Sequence, residues 1–183
     1  MKVKQAALFL IDGFEETEAV CTVDIMRRAG IDVTTVSLGT TLSLTGRSMI
    51  TVEADSMFTD ITDRTFDMLV IPGGTAAYAE HEGLLELVMK QHESGGKLAA
   101  ICAAPCVFGR LGLLKGKRAI IYPGMEELLG GAAVSSKIVE TDGNITTSKG
   151  PGTTVYFALR IAEILVGREI AERVAEKFIA QKL

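Results

Sequence analysis

A chain of 183 residues with 48% hydrophobic residues can bury a sizeable core and is not a disordered segment. A net charge of −4 argues against a nucleic-acid surface, and Arg110, Lys115, Lys117 and Arg118, without aromatic interleaving, read as a solvated turn. No apolar run approaches the ~20 residues of a membrane span, and three cysteines with two histidines give neither a disulfide framework nor a metal-ligand spacing.

One domain over residues 1–183 is expected, without structural metal, nucleic acid or membrane. The apolar stretch Ala6–Ile11 is too short, and too acidic behind, for a secretory signal. The terminal Gln181-Lys182-Leu183 matches a peroxisomal tail only loosely, so the cytoplasm is the default location.

In chain order, strand-like and helix-like segments alternate. Lys4–Ile11 reads as a strand, Glu15–Ala29 as a helix capped by Gly30, and Asp32–Ser37 as a second strand. Thr40–Gly46 and Ser48–Glu53 form a short hairpin of alternating polarity. Asp67–Ile71 is a buried strand that runs into Pro72-Gly73-Gly74, and the helix Gly83–Ser94 leads to a strand ending at Ile101. A helix follows Cys102. Then come a strand over Arg118–Tyr122, a short helix near Met125–Leu129, and a hairpin over Ile138–Ser148 turning at Asp142-Gly143. Two helices, Thr153–Val166 and Glu169–Gln181, are split by Gly167. The alternation predicts an α/β fold, a doubly wound, mostly parallel sheet between helices.

In such a sheet the ligand crevice lies beyond the carboxyl ends of the strands. The turns after Ile11, Ile71 and Ile101 meet there. At the last of these, Cys102 stands between Ala100 and Ala104, small residues at the two places where a strand-to-helix nucleophile turn needs them. Amides opening the next helix would favour a thiolate, so Cys102 is expected to ionise more easily than a free thiol. The pattern alone also fits a small apolar core residue.

Among the acidic residues after the first strand, Glu15 and Glu16 read as dipole partners of the helix. Glu18, one turn from Glu15, can point inward and share one proton with the cysteine. Gly73-Gly74 is either a tight turn or a pair of amides open to a substrate oxygen. Gly150-Pro151-Gly152-Thr153 reads as a structural turn near the crevice. His92 reads as solvated, His81 has no evident partner, Cys106 packs on a helix face, and Cys21 reads as buried.

Taken together, Gly13 to Glu18, Val23 to Gly30, Val70 to Gly74, Ala99 to Pro105 and Thr147 to Thr153 resemble the ThiJ/PfpI superfamily, particularly the branch of the Parkinson-associated protein deglycase. The resemblance spans nearly the whole chain. It implies a flavodoxin-like, class I glutamine-amidotransferase-like single domain, and a homodimer built partly through the first helix. It implies no cofactor. Cys102 becomes the nucleophile and oxidation-sensitive thiol, and Glu18 its carboxyl partner. Gly73, Gly74 and Ala103 would supply amides around a substrate oxygen, and Arg47 would stand near the partner's site. Implied activities are conversion of methylglyoxal to lactate without glutathione, removal of early glycation adducts, peptide hydrolysis, and chaperone or redox-sensing roles. The substrates expected are small aldehydes or glycated adducts. Two positions depart from the family pattern. Ala103 stands where the peptidase branch has a histidine, which argues against proteolysis. Tyr122 stands where the deglycase branch has a histidine before the proline, here Pro123.

Overall fold

The strands β1 (Gln5–Leu10) and β2 (Asp32–Ser37) flank the helix α1 (Glu16–Arg28) and pair in parallel, Gln5 opposite Asp32 through Leu10 opposite Ser37. Ala6 to Leu10 are all buried, as expected of a parallel strand covered on both faces. On α1 the buried residues Ala19, Thr22 and Met26 fall at helical spacing. Gly30, at φ +78, ends the helix, and Arg27 and Arg28 occupy its last turn.

A small antiparallel hairpin, β3 (Ser43–Thr45) and β4 (Thr51–Glu53), follows, and then β5 (Ser56–Met57) on the sheet edge. The chain crosses β1 to reach β6 (Met68–Ile71), then runs through α2 (Glu82–Glu93), β7 (Lys97–Ile101) and α3 (Pro105–Arg110). β8 (Arg118–Ala119) and β9 (Ala133–Val134) pair with each other. β10 (Val139–Asp142) and β11 (Ile145–Ser148) form an antiparallel hairpin, and α4 (Thr154–Val166) and α5 (Arg168–Lys177) close the chain. The structure, a computed structural model, describes residues 2–181, so Lys182 and Leu183 of the terminal tripeptide lie outside it.

The central sheet has the order β10-β11-β7-β6-β1-β2-β5, parallel except for the β10–β11 pair. This is the expected doubly wound α/β fold between helices. α1 packs against α4, and α4 against α5. Strand order reverses between β1 and β6, so the crevice opens where their carboxyl ends separate, next to the end of β7.

Three details differ from the expectations. Arg118–Tyr122 is not a strand of the main sheet. Both edges of β11 are already taken by β7 and β10, so Arg118–Ala119 pairs with β9 instead, and the Ile120 N–H donates to the Thr147 hydroxyl at 2.9 Å. The last hairpin turns at Gly143-Asn144, one residue later than read, because Asp142 pairs with Ile145. The last helix stops at Lys177, ahead of Ile179 with its φ of +56.

Candidate active site

β7 ends at Ile101, and Cys102 is the corner before α3 opens with Pro105. Its φ of +63 is a conformation that a residue with a Cβ adopts at a cost, and it is held from both sides. The Cys102 N–H donates to the Ser148 carbonyl at 3.1 Å, and its carbonyl accepts the Tyr122 N–H at 2.8 Å. The thiol is 5% exposed.

Glu18 reaches the same point from the first turn of α1 and is fully buried. Its Oε2 accepts the Gly73 N–H at 2.7 Å, while Oε1 is buried without a partner among the described residues. The turn at Gly73-Gly74 has no room for side chains. A Cβ on Gly73 would lie 2.5 Å from the Cys102 Cβ and 2.8 Å from Glu18 Oε2, and one on Gly74, at φ +97, would strike the Glu15 amide.

Burial raises the Glu18 carboxyl from 4.5 to about 7, against the pull of the Gly73 amide and the Cys102 thiol. Cys102 moves opposite to the sequence expectation. Burial first, and then the neighbouring Glu18 charge, push the thiol up to about 12, although the Gly74 and Ala103 amides favour the thiolate. The helix amides are thus outweighed by desolvation and a like charge. The two groups titrate as a couple: one proton leaves near 7, and the second is retained because its loss would set two anions side by side. Near neutral pH the couple holds one proton and one negative charge, the condition needed to pass a proton back and forth.

The structure brings most of the expected residues together. Gly74 and Ala103 present their amides to the sulfur. The Gly73 amide is not open to a substrate oxygen, because Glu18 occupies it. Tyr122 stands at the rim, 48% exposed, with its ring 3.4 Å from the place a Cβ on Gly150 would take. Arg47, expected to serve a partner's site, lies in this chain beside its own Glu15, with Nε 3.8 Å from Oε2. His81 does have a partner: its Nδ1 accepts the Leu84 N–H at 3.0 Å and caps α2. His92 and Cys21 are half-buried, Cys106 is buried, and all three cysteines are free thiols.

The residue that sequence reasoning missed is Glu16. It is buried and bound to the hairpin tip rather than standing as a solvated dipole partner. Glycine at position 46, which lets the hairpin approach closely, was the available signal.

The sequence profile of the DJ-1/PfpI family matches residues 4–164. The chain belongs to the DJ-1/PfpI family. Among DJ-1 relatives, Protein dj-1beta of Drosophila melanogaster is 38% identical over 178 residues, covering 94% of this chain and 95% of that one. The Caenorhabditis elegans protein named glutathione-independent glyoxalase DJR-1.2 is 33% identical over 175 residues, covering 92% of this chain and 93% of its own. Protein DJ-1 homolog B of Arabidopsis thaliana is 40% identical, and there the chain covers 94% of itself but spans only 40% of the relative's length. The crystal structure of Drosophila melanogaster DJ-1beta superposes with a TM-score of 0.95 at 35% identity, covering 99% of this chain and 100% of that one. Among the described residues, no helix is long and apolar enough to cross a membrane.

Proposed function

We propose that this DJ-1/PfpI protein is a cofactor-free cysteine–glutamate enzyme acting on small reactive aldehydes, with methylglyoxal and its early adducts as the substrate class. The observation that carries the reading is the fully buried Glu18 carboxyl, shared between the Gly73 amide and the Cys102 thiol and raised to about 7. Glu18 Oε1 is buried with no partner among the described residues, which leaves the carboxyl an oxygen on which to hold a proton.

In this mechanism Glu18 takes the thiol proton as the Cys102 sulfur adds to the aldehyde carbon, C1, and hands that proton to the new oxygen. The product is a hemithioacetal, and the Gly74 and Ala103 amides stabilise its oxygen as charge develops. Glu18, now a carboxylate, removes the proton from C1 and returns it to C2 through an enediol, while the hydroxyl proton passes from the C1 oxygen to the C2 oxygen. C1 is oxidised and C2 reduced within one molecule, leaving a lactoyl thioester. Water cleaves the thioester, releasing lactate and restoring the thiol. No external oxidant or reductant enters.

The Caenorhabditis elegans relative's name, glutathione-independent glyoxalase, supports this class. The test is lactate formation from methylglyoxal, without glutathione, by wild type, Cys102→Ser and Glu18→Ala. Many turnovers per Cys102 in the wild type and none in either variant are expected. A stoichiometric loss of thiol with little lactate would favour a redox sensor or chaperone read out by oxidation of Cys102. That second reading draws on the pocket of amides and carboxyl around one sulfur, which suits a sulfinate equally well.

A cytoplasmic homodimer completes the reading. Val20 on α1 and Met49 and Ile50 at the hairpin tip are each more than half exposed, and a second copy would cover them.

A further inference from the structure

The β3–β4 hairpin is small and distant in sequence from the nucleophile, yet its tip is tied repeatedly to the start of α1. The Gly13 N–H donates to the Thr45 carbonyl at 2.8 Å, the Arg47 N–H to the Phe14 carbonyl at 2.9 Å, and the Thr45 N–H to Asp12 Oδ1 at 2.9 Å. The remaining tie is a buried side chain. Glu16 is 7% exposed, and its Oε1 accepts the Ser48 N–H at 2.8 Å and the Ile50 N–H at 3.3 Å. Its Oε2 is buried with no partner among the described residues. Burial alone would raise this carboxyl, but its own amide and those of Ser48 and Ile50 outweigh burial and hold it below 4.5. It is therefore an anion wherever the site works. A desolvated anion that loses its donors is costly, so helix turn and hairpin tip move as one. Gly46 shows how close the two lie: a Cβ there would overlap the Glu16 carboxyl.

What the gripped loop carries is Arg47. Its Nε lies 3.8 Å from Glu15 Oε2. The Glu15 N–H in turn donates to the Gly73 carbonyl at 2.9 Å, and the amide of that same Gly73 holds Glu18. Around Glu18 stand Cys102 from the β7–α3 corner, Glu15 from its own helix, Tyr78 from the turn after β6, and Arg47, which brings the positive charge.

We propose that Glu16 is a positioning residue: by gripping the Ser48 and Ile50 amides it holds the Arg47 guanidinium against Glu15, where the positive charge favours the anionic form of the Glu18–Cys102 couple. The inference rests on the cysteine–carboxylate site proposed above.

The experiment follows the rate of Cys102 alkylation by iodoacetamide between pH 5 and 9, with mass spectrometry to assign the modified thiol. Arg47→Ala removes the cation, so the midpoint of the rate profile should move to higher pH by about 0.5, slowing alkylation at pH 6 about threefold. Gly46→Ala keeps every charge but pushes the loop off Glu16, and should move the midpoint the same way. Glu16→Gln sharpens the test through its sign. Loss of an anion near Glu18 would by itself lower the midpoint, so a rise reports displacement of Arg47. In an Arg47→Ala background neither substitution should raise it further. The proposal is overturned if the Glu16→Gln midpoint stays or falls, or if Gly46→Ala folds and leaves the profile unmoved. Alkylation reads the couple whether or not any aldehyde is turned over. A protein with these shifts but no lactate formation would thus sink the enzymatic reading and leave this one standing.

Discussion

Replacing Glu18 with glutamine keeps the shape of the side chain and an acceptor for the Gly73 N–H while removing the charge. Burial raises Glu18 from 4.5 to about 7 in the folded chain, and the unfolded chain returns it to 4.5. Below pH 4.5 the carboxyl is protonated in both states and has no effect on stability. Between 4.5 and 7 the unfolded chain releases the proton while the folded chain keeps it, so wild-type stability falls as pH rises. The full loss, reached above pH 7, is roughly 3 kcal/mol. Glu18→Gln escapes this loss. The variant should match the wild type near pH 4.5 and exceed it by roughly 3 kcal/mol at pH 8, which for a chain of this size is about 6–12 °C in Tm. Thermal unfolding of both proteins at pH 4.5, 6, 7 and 8 measures the difference directly. The same variant should lose lactate formation by about 10²-fold or more, because the shuttling proton is gone. A difference that does not change with pH, or a wild type more stable at pH 8, would refute the account of Glu18 as a carboxyl kept neutral by burial.

Gly73→Ala forces a Cβ to within 2.5 Å of the Cys102 Cβ, so a stability loss of about 1–3 kcal/mol with loss of Cys102 reactivity is expected. Near-native behaviour in denaturant unfolding would contradict the crowding described. Tyr122→His, placing an acid–base group at the rim, should raise methylglyoxal turnover and add a pH dependence near neutrality, whereas Tyr122→Phe should lower turnover only slightly. If Tyr122→His gains nothing, residue 122 is a wall of the site and no more. Light scattering at micromolar concentration should find a dimer, and Val20→Glu should shift it toward monomer; a stable wild-type monomer would end that proposal. Peroxide should oxidise Cys102 before Cys21 or Cys106, since the Cys102 sulfur has the Gly74 and Ala103 amides to stabilise negative charge where Cys106 has the Val107 amide alone; peptide mapping that finds Cys106 first would reverse this.

The doubly wound order and the convergence of three strand ends were legible because buried parallel strands write continuous apolar runs, as Ala6–Leu10 and Leu98–Ile101 do. Cys102 was legible for a related reason, because it closes such a run at a strand-to-helix turn, whereas Glu18 was singled out by its place one helical turn after Glu15 and paired with the cysteine through the family resemblance. The true environment of the thiol was not legible. Helix amides are local and can be read from a turn, while desolvation and the Glu18 charge come from packing across 84 positions of chain. Gly73 was placed correctly but given the wrong task, because nothing local says that its amide is already claimed. Glu16 was invisible for the same reason: an acid in a first helical turn looks alike whether it meets water or a hairpin tip. β5, two residues long, carries too little pattern to announce an edge strand.

The hydrogen bond from the Tyr122 amide to the Cys102 carbonyl has one more consequence. The corner that fixes the sulfur is buttressed by the backbone of residue 122, while the ring of that residue projects separately toward Gly150 and solvent. Any amino acid except proline supplies the same amide. The side chain at 122 is therefore an interchangeable attachment, free to be exchanged for a different reagent while the nucleophile stays where the backbone put it, and chemistry at this site can diversify without repeated cost to the fold.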